Sequence, residues 1–267
     1  MFRWDTVGAT SIRLAAPSAA AAASHAAASP EPALQALMDA CAIPVIVHDY
    51  HRAAILGNAT LITHRGRPWL LTAAHLLDYA PRCGNWLVPA REDGALLPLE
   101  GARVRRAAHL DVALIELRHL DALPRILHGR RPLPIDAAAV PHRPGHEAVY
   151  AVSGFPAAWS QFERGWLAAR RLTVLTCRSR QARQRARHDR VYDYGHVALA
   201  GSGQWIHTPA LEGMSGAGIW ALSTDREGRQ HARLAAVQSA FLHSRYLRGH
   251  DARAALPLLL EERGGQR

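Results

Sequence analysis

From Pro44 onward the apolar residues come in short, nearly continuous runs and do not recur at helical spacing. "PVIVHDY", "ATLITH", "PWLLTAA", "NWLVPA", "DVALIEL", "EAVYAVSGF", "RLTVLTC", "RVYDYGHVAL", "SGAGIWAL" and "RLAAVQSAF" all read this way. Turn residues fall between them, among them Arg65-Gly66, Asp93-Gly94 and Glu227-Gly228. Short β-type runs bounded by such turns predict strands. Many of them, with no helical segments alternating between, predict an all-β fold built as paired barrels or a sandwich. "ARAALPLLLEE" predicts a short C-terminal helix, with Pro257 limiting its regularity. Before Pro44 the pattern differs. Residues 1–33 are rich in Ala, Ser and Pro and are expected to form a disordered leader. "EPALQALMDACA" follows as a short helix ahead of the domain proper.

Composition narrows the chemistry. The 267 residues are 49% hydrophobic, enough for one large β-rich domain or two small halves. No uninterrupted apolar stretch reaches the roughly 18 residues of a membrane span. The net charge is +10 and there is no lysine, so all 32 basic residues are arginine. That removes the Ser-Lys dyad, the lysine Schiff base and the P-loop lysine. Cys41, Cys83 and Cys177 are odd in number and far apart, which suggests neither a disulfide framework nor a zinc knuckle. A reducing compartment, the cytoplasm, is the first expectation. The leader has a poor signal core of alanines broken by Pro17 and His25, so secretion or the periplasm comes second.

One stretch asks for a chemical explanation. In "LEGMSGAGIW" (211–220), Ser215 stands among Gly213, Gly216 and Gly218. Bare backbone around a hydroxyl suits a nucleophile whose neighbouring N–H groups must approach a substrate oxygen. A serine is a weak nucleophile and needs a histidine as base, and the histidine needs a carboxylate to fix its tautomer. "WLLTAAHLL" ends an apolar run in two alanines and His75. "HLDVALIEL" puts Asp111 at the mouth of a strand, where a carboxylate is partly buried.

T-A-A-H, D-V-A-L and G-x-S-G-A, in that order, resemble the trypsin-like (chymotrypsin-fold) serine peptidases of the bacterial type without disulfides. The resemblance covers roughly residues 44–245, and "SGFP" (153–156) is similar to a turn motif of bacterial members. His75 and Asp111 are 36 residues apart (111 − 75), and Asp111 and Ser215 are 104 apart (215 − 111). The resemblance implies two packed six-stranded antiparallel Greek-key barrels, roughly 44–130 and 131–245, within a peptidase domain spanning 34–267. The active site would lie in the cleft between them. It also implies His75 as general base, Asp111 as its orienter and Ser215 as the nucleophile, with the N–H groups of Gly213 and Ser215 forming the oxyanion hole. Pro209 and Ala210 would floor the specificity pocket, Glu212 would sit at its rim, and Val237 to Phe241 would form a wall. Ser239 falls where relatives keep a Ser or Thr near the aspartate. No metal or organic cofactor is implied, and the substrate would be a protein or peptide. Two positions depart from secreted relatives. Leu76 replaces a cysteine, and Met214 replaces the aspartate that pairs with a newly cut N-terminus, which puts activation by clipping in doubt.

Other readings compete. The chain could be a protease-like module retired to binding, although such a module tends to lose a triad member. The arginine-rich "CRSRQARQRARHDR" (177–190) could grip phosphates of a nucleic acid or an acidic partner, against the blander reading of a solvated loop. An α/β-hydrolase elbow fits poorly, because Ala217 stands at its fifth position and too little chain follows Ser215. "HDYH" (48–51) lacks a second ligand cluster, and Asn58-Ala59-Thr60 is a glycosylation sequon.

Overall fold

The computed structural model describes residues 2–4, 10–13, 32–48, 53–83, 85–90, 95–107, 109–135, 149–163, 166–179, 188–194, 197–198, 205–206, 211–242 and 246–260. Asp93-Gly94, Pro209, Ala210, most of "HDYH" and residues 180–187 of the arginine-rich segment lie outside them.

Within the stretch read as a leader, β1 (Phe2–Trp4) and β2 (Thr10–Arg13) are short strands. Helix α1 (Pro32–Cys41) follows, where the sequence predicted one. Leu34, Met38 and Cys41 recur at the helical spacing of one face, and all three are buried. They join a core cluster that also contains Trp69, Leu114, Trp220 and Val237, so the helix is packed against residues of both halves of the chain.

The first sheet is built from β3 (Ala42–His48), β4 (Ala53–His64) and β5 (Arg67–Thr72), joined as a meander. The β4–β5 turn is the expected Arg65-Gly66, with φ of 51° and 73°. Helix α2 (Leu76–Cys83) leads to β6 (Asn85–Pro89), β7 (Leu96–Pro98), β8 (Arg103–Arg106) and β9 (Ala113–Glu116). The order is β7-β6-β3-β4-β5-β9-β8, with β6 returning to lie beside β3 in the Greek-key manner. After the short helix α3 (Leu123–Leu127), β10 (Leu133–Pro134) pairs with β4 in parallel.

The second sheet starts at β11 (Val149–Gly154). The hairpin of β12 (Ser160–Glu163) and β13 (Trp166–Ala169) takes β1 as a parallel third strand. β16 (Val197–Ala198) and β17 (Trp205–Ile206) form a separate two-stranded piece, and β14 (Leu172–Cys177), β15 (Asp189–Asp193), β18 (Gly218–Thr224), β19 (Gln230–Leu242) and β20 (Tyr246–Asp251) complete the second sheet. Its order is β15-β20-β19-β18-β11-β14-β2. An Arg178–Tyr192 bridge and the Ser179 N–H to Val191 carbonyl bond (2.9 Å) join β14 to β15 and curl the sheet round on itself. The expected all-β pair of curled antiparallel sheets is therefore present. Six strands of the second sheet are antiparallel, and β2 is added in parallel. The first carries seven antiparallel strands, because the short β7 extends it. Helix α4 (Ala255–Leu260) is the last described element and follows a tight turn capped by Asp251, whose Oδ1 accepts from the Arg253 N–H at 3.0 Å.

Candidate active site

His75 and Asp111 stand on the loop after β5 and the loop before β9, two strands that pair side by side. The apolar runs "WLLT" and "ALIE" bury these strands, so the polar residues just beyond their ends emerge together. Asp111 holds His75 twice. Its Oδ1 accepts from the His75 backbone N–H at 2.7 Å, and its Oδ2 from Nδ1 at 2.6 Å. Burial pushes the Asp111 carboxyl up, but the two hydrogen bonds and the charge of His75 outweigh it and hold the group below the ordinary carboxylate range. The ionised carboxylate fixes the proton on Nδ1 and leaves Nε2 as the acceptor. Nε2 has no intramolecular partner among the described residues. Tyr79, exposed on α2, meets the imidazole edge-on with ring centroids 6.3 Å apart.

Ser215 comes from the second half of the chain and is delivered to this place by its backbone. Its carbonyl accepts from the Asn58 N–H on β4 at 2.7 Å. The same carbonyl and the Leu76 side chain, next to His75, both lie against Gly57. Gly216 (φ +87°) follows, and a Cβ there would overlap the Asn58 carbonyl and the Thr72 hydroxyl. The glycine is thus needed twice, for its conformation and for its contact with β4 and β5. The Ser215 hydroxyl has no hydrogen-bond partner among the described residues.

The turn before the serine is equally constrained. Met214 N–H donates to the Leu211 carbonyl (3.0 Å), Ala217 N–H to that of Met214 (2.9 Å) and Gly216 N–H to that of Gln238 (2.7 Å). The N–H groups of Gly213 and Ser215 have no acceptor among the described residues. The Glu212 carbonyl, across the peptide from the Gly213 N–H, accepts from Ala157 N–H at 2.7 Å. At Gly213 (φ +79°) a Cβ would come within 2.8 Å of Ala157 N. Two neighbouring free donors beside a hydroxyl are suited to hold a developing oxyanion.

The expected pocket wall divides. Glu212 is exposed, as a rim residue would be. Val237 is fully buried and packs in the cluster containing Val112 and Leu114, at the junction of the two sheets. Ser239 sits at an irregularity between β19 and β20, and its hydroxyl donates to the Arg248 carbonyl at 3.3 Å, not to Asp111. Phe241 packs edge-on against buried Tyr194, with centroids 4.8 Å apart. Sequence reasoning did not pick out Tyr194, and nothing local marks it. His250 on β20, outside the residues assigned to this site from the sequence, lies 3.4 Å from Asp189 and close enough to Asp111 to favour its charge. Burial pushes the His250 imidazole down against the pull of Asp189 and Asp111. Among the described residues no three His, Cys, Asp or Glu side chains gather as a metal site, and no helix is long and apolar enough to cross a membrane. The sequon residue Asn58 is 1% exposed, with its side-chain nitrogen committed to protein carbonyls, so it offers no glycosylation site in the folded chain.

No protein-family profile matches the chain, and no curated protein does. Several solved structures are similar. The tobacco vein mottling virus protease aligns over 84% of this chain and 83% of its own, with 8% identity and a TM-score of 0.48. The serine endoprotease from Yersinia pestis aligns over 87% and 67%, with 14% identity and a TM-score of 0.48. A structure described for coupled folding and binding of the Sesbania mosaic virus VPg protein aligns over 84% and 92%, with 14% identity and a TM-score of 0.49. These neighbours include viral and bacterial proteases. Their similarity lies below a TM-score of 0.5, and the functional reading rests on the residues of this chain.

Proposed function

We propose that the chain is a serine endopeptidase that cleaves peptide bonds through an acyl-enzyme. The observation that carries this reading is the double hydrogen bond from His75 to Asp111, at 2.7 and 2.6 Å, at the end of β5, whose neighbour β4 holds the Ser215 carbonyl through the Asn58 N–H. In the proposed reaction His75 Nε2 takes the Ser215 hydroxyl proton as Oγ attacks the scissile carbonyl carbon. The oxygen, now negative, is held by the N–H groups of Gly213 and Ser215. The carbon–nitrogen bond breaks, and His75 returns the proton to the leaving amine. Water, deprotonated by the same imidazole, then releases the acyl group and restores the hydroxyl. Asp111 stays ionised throughout and stabilises the imidazolium.

The substrate class that fits is an extended protein or peptide segment. An alkyl fluorophosphonate tests the reading directly. Wild-type protein should be labelled, and Ser215→Ala should not. Absence of labelling in the folded wild-type chain, or equal labelling of both, would remove the peptidase assignment and favour a binding module.

A further inference from the structure

Asn58 is buried on β4, in the first sheet, yet most of its hydrogen bonds go to the segments just after β11 and just before β18 of the second. Its backbone N–H donates to the Ser215 carbonyl at 2.7 Å. Its side-chain Nδ2 donates to the Gly213 carbonyl at 2.6 Å and to the Phe155 carbonyl at 3.2 Å. Its Oδ1 accepts from the Phe155 N–H at 2.8 Å, and its own carbonyl accepts from the Thr72 hydroxyl at 2.6 Å. Every polar atom of the residue is thus engaged, and the amide orientation is fixed. Phe155 requires an acceptor, while Gly213 requires a donor.

These partners are not scattered. Phe155 belongs to the "SGFP" turn, two residues before Ala157, whose N–H holds the Glu212 carbonyl. The peptide before Gly213 is held from one side by Ala157, and the peptide after it is held from the other by Asn58. Between these two anchors lies the Gly213 N–H. Turning that N–H away would break the Ala157–Glu212 bond and disturb the adjoining peptide, whose carbonyl Asn58 holds.

We infer that Asn58 is a positioning residue that keeps the 213–215 turn in the conformation that offers its N–H groups to substrate. The inference rests on the peptidase reading. Asn58 touches no substrate in this role and acts through the Gly213 and Ser215 carbonyls. Its effect should therefore fall on the transition state, where the oxygen carries charge, and not on ground-state binding.

The test compares Asn58→Asp and Asn58→Ala with wild type, using a peptide substrate identified with the wild-type enzyme. Asn58→Asp keeps the size and the acceptor for Phe155 N–H but aims an oxygen at the Gly213 carbonyl. A fall in kcat of roughly 10²-fold is expected, the scale of losing one oxyanion donor, with KM changed less than about threefold. Affinity for a peptide aldehyde carrying the same sequence should fall in parallel with kcat/KM, whereas affinity for the product peptide should hold. The downfield Nδ1 proton of His75, read by NMR, should stay in place, since the His75–Asp111 pair is not involved. If Asn58→Asp does not fold, Asn58→Ala carries the same expectation. If neither folds, the residue is a fold determinant and the positioning role is overturned. Near wild-type kcat in a folded variant, or loss of the His75 proton together with activity, also overturns it while leaving the peptidase reading intact. A wild-type chain that hydrolyses nothing and takes no fluorophosphonate sinks the peptidase reading itself, and this inference with it.

Discussion

Asp111 grips His75 at two points, the backbone N–H and Nδ1, and so fixes both where the residue sits and which nitrogen carries the proton. Two oxygens of one carboxylate leave the imidazole little freedom to swing. Asp111→Asn should keep the fold but put an amide opposite Nδ1, which selects the wrong tautomer. A loss of roughly 10⁴-fold in kcat is expected on peptide substrate, with an unchanged far-UV spectrum. A loss below about tenfold would show that His75 is not oriented by this group.

The same pair sets the pH response. Because Asp111 is held below the ordinary carboxylate range, it stays ionised throughout the interval in which histidines titrate, roughly pH 5–8. Hydrolysis should therefore show no step from Asp111 in that interval, since the carboxylate is already ionised. The sign for stability follows from the lowered value. The pair's contribution is full above the unfolded aspartate's pKa of about 3.9 and is lost as pH falls through the lower folded value. Acid unfolding of wild type and Asp111→Asn, followed by circular dichroism, should diverge least at the most acid end. Two steps in the kcat/KM profile between about pH 4 and 8 would contradict the assignment.

Ser215→Ala and His75→Ala should each remove nearly all hydrolysis. The double variant should be scarcely slower than either, because groups acting as one unit are strongly non-additive. Multiplying losses, measured as kcat/KM, would show that the two do not cooperate.

Met214 is fully buried beside Leu211, Ala217 and Tyr194, and it has no charge to pair with a new N-terminus. The intact chain is expected to hydrolyse substrate without trimming. A chain starting at Pro44 would instead lose α1 and uncover the cluster that Leu34 and Met38 fill. Met38→Ala alone should cost about 2–5 kcal/mol in urea unfolding. If only trimmed protein turns over substrate, another element orders the site.

Primary specificity should favour small or medium apolar side chains over Arg or Lys. Phe241 packs on Tyr194, and neither offers a carboxylate to a buried cation. A peptide-library digest decides this. Cleavage mainly after Arg or Lys would refute the pocket reading and leave Ser215 as nucleophile.

The sequence by itself determined the features that are local in the chain. Apolar runs ending at turn residues placed most of the strands, and Arg65-Gly66 placed a hairpin because Gly66 readily takes the positive φ the turn needs. His75, Asp111 and Ser215 stood out as candidates because each sits at the end of a β-run or inside a glycine turn, where the local pattern is already unusual. Tertiary structure alone decided what joins distant segments. Asn58 reads as a sequon residue until closure of the two sheets brings it 2.6 Å from the carbonyl of Gly213, 155 positions along the chain. Ser239 turns to Arg248 because an irregularity between β19 and β20 shifts the register at that point. Residues 2–4 and 10–13 find parallel partners in β13 and β14, a pairing their own composition does not encode. Side-chain periodicity records which face of a strand is buried. It does not record which remote backbone group will meet that face, since that depends on how the sheets curl and close.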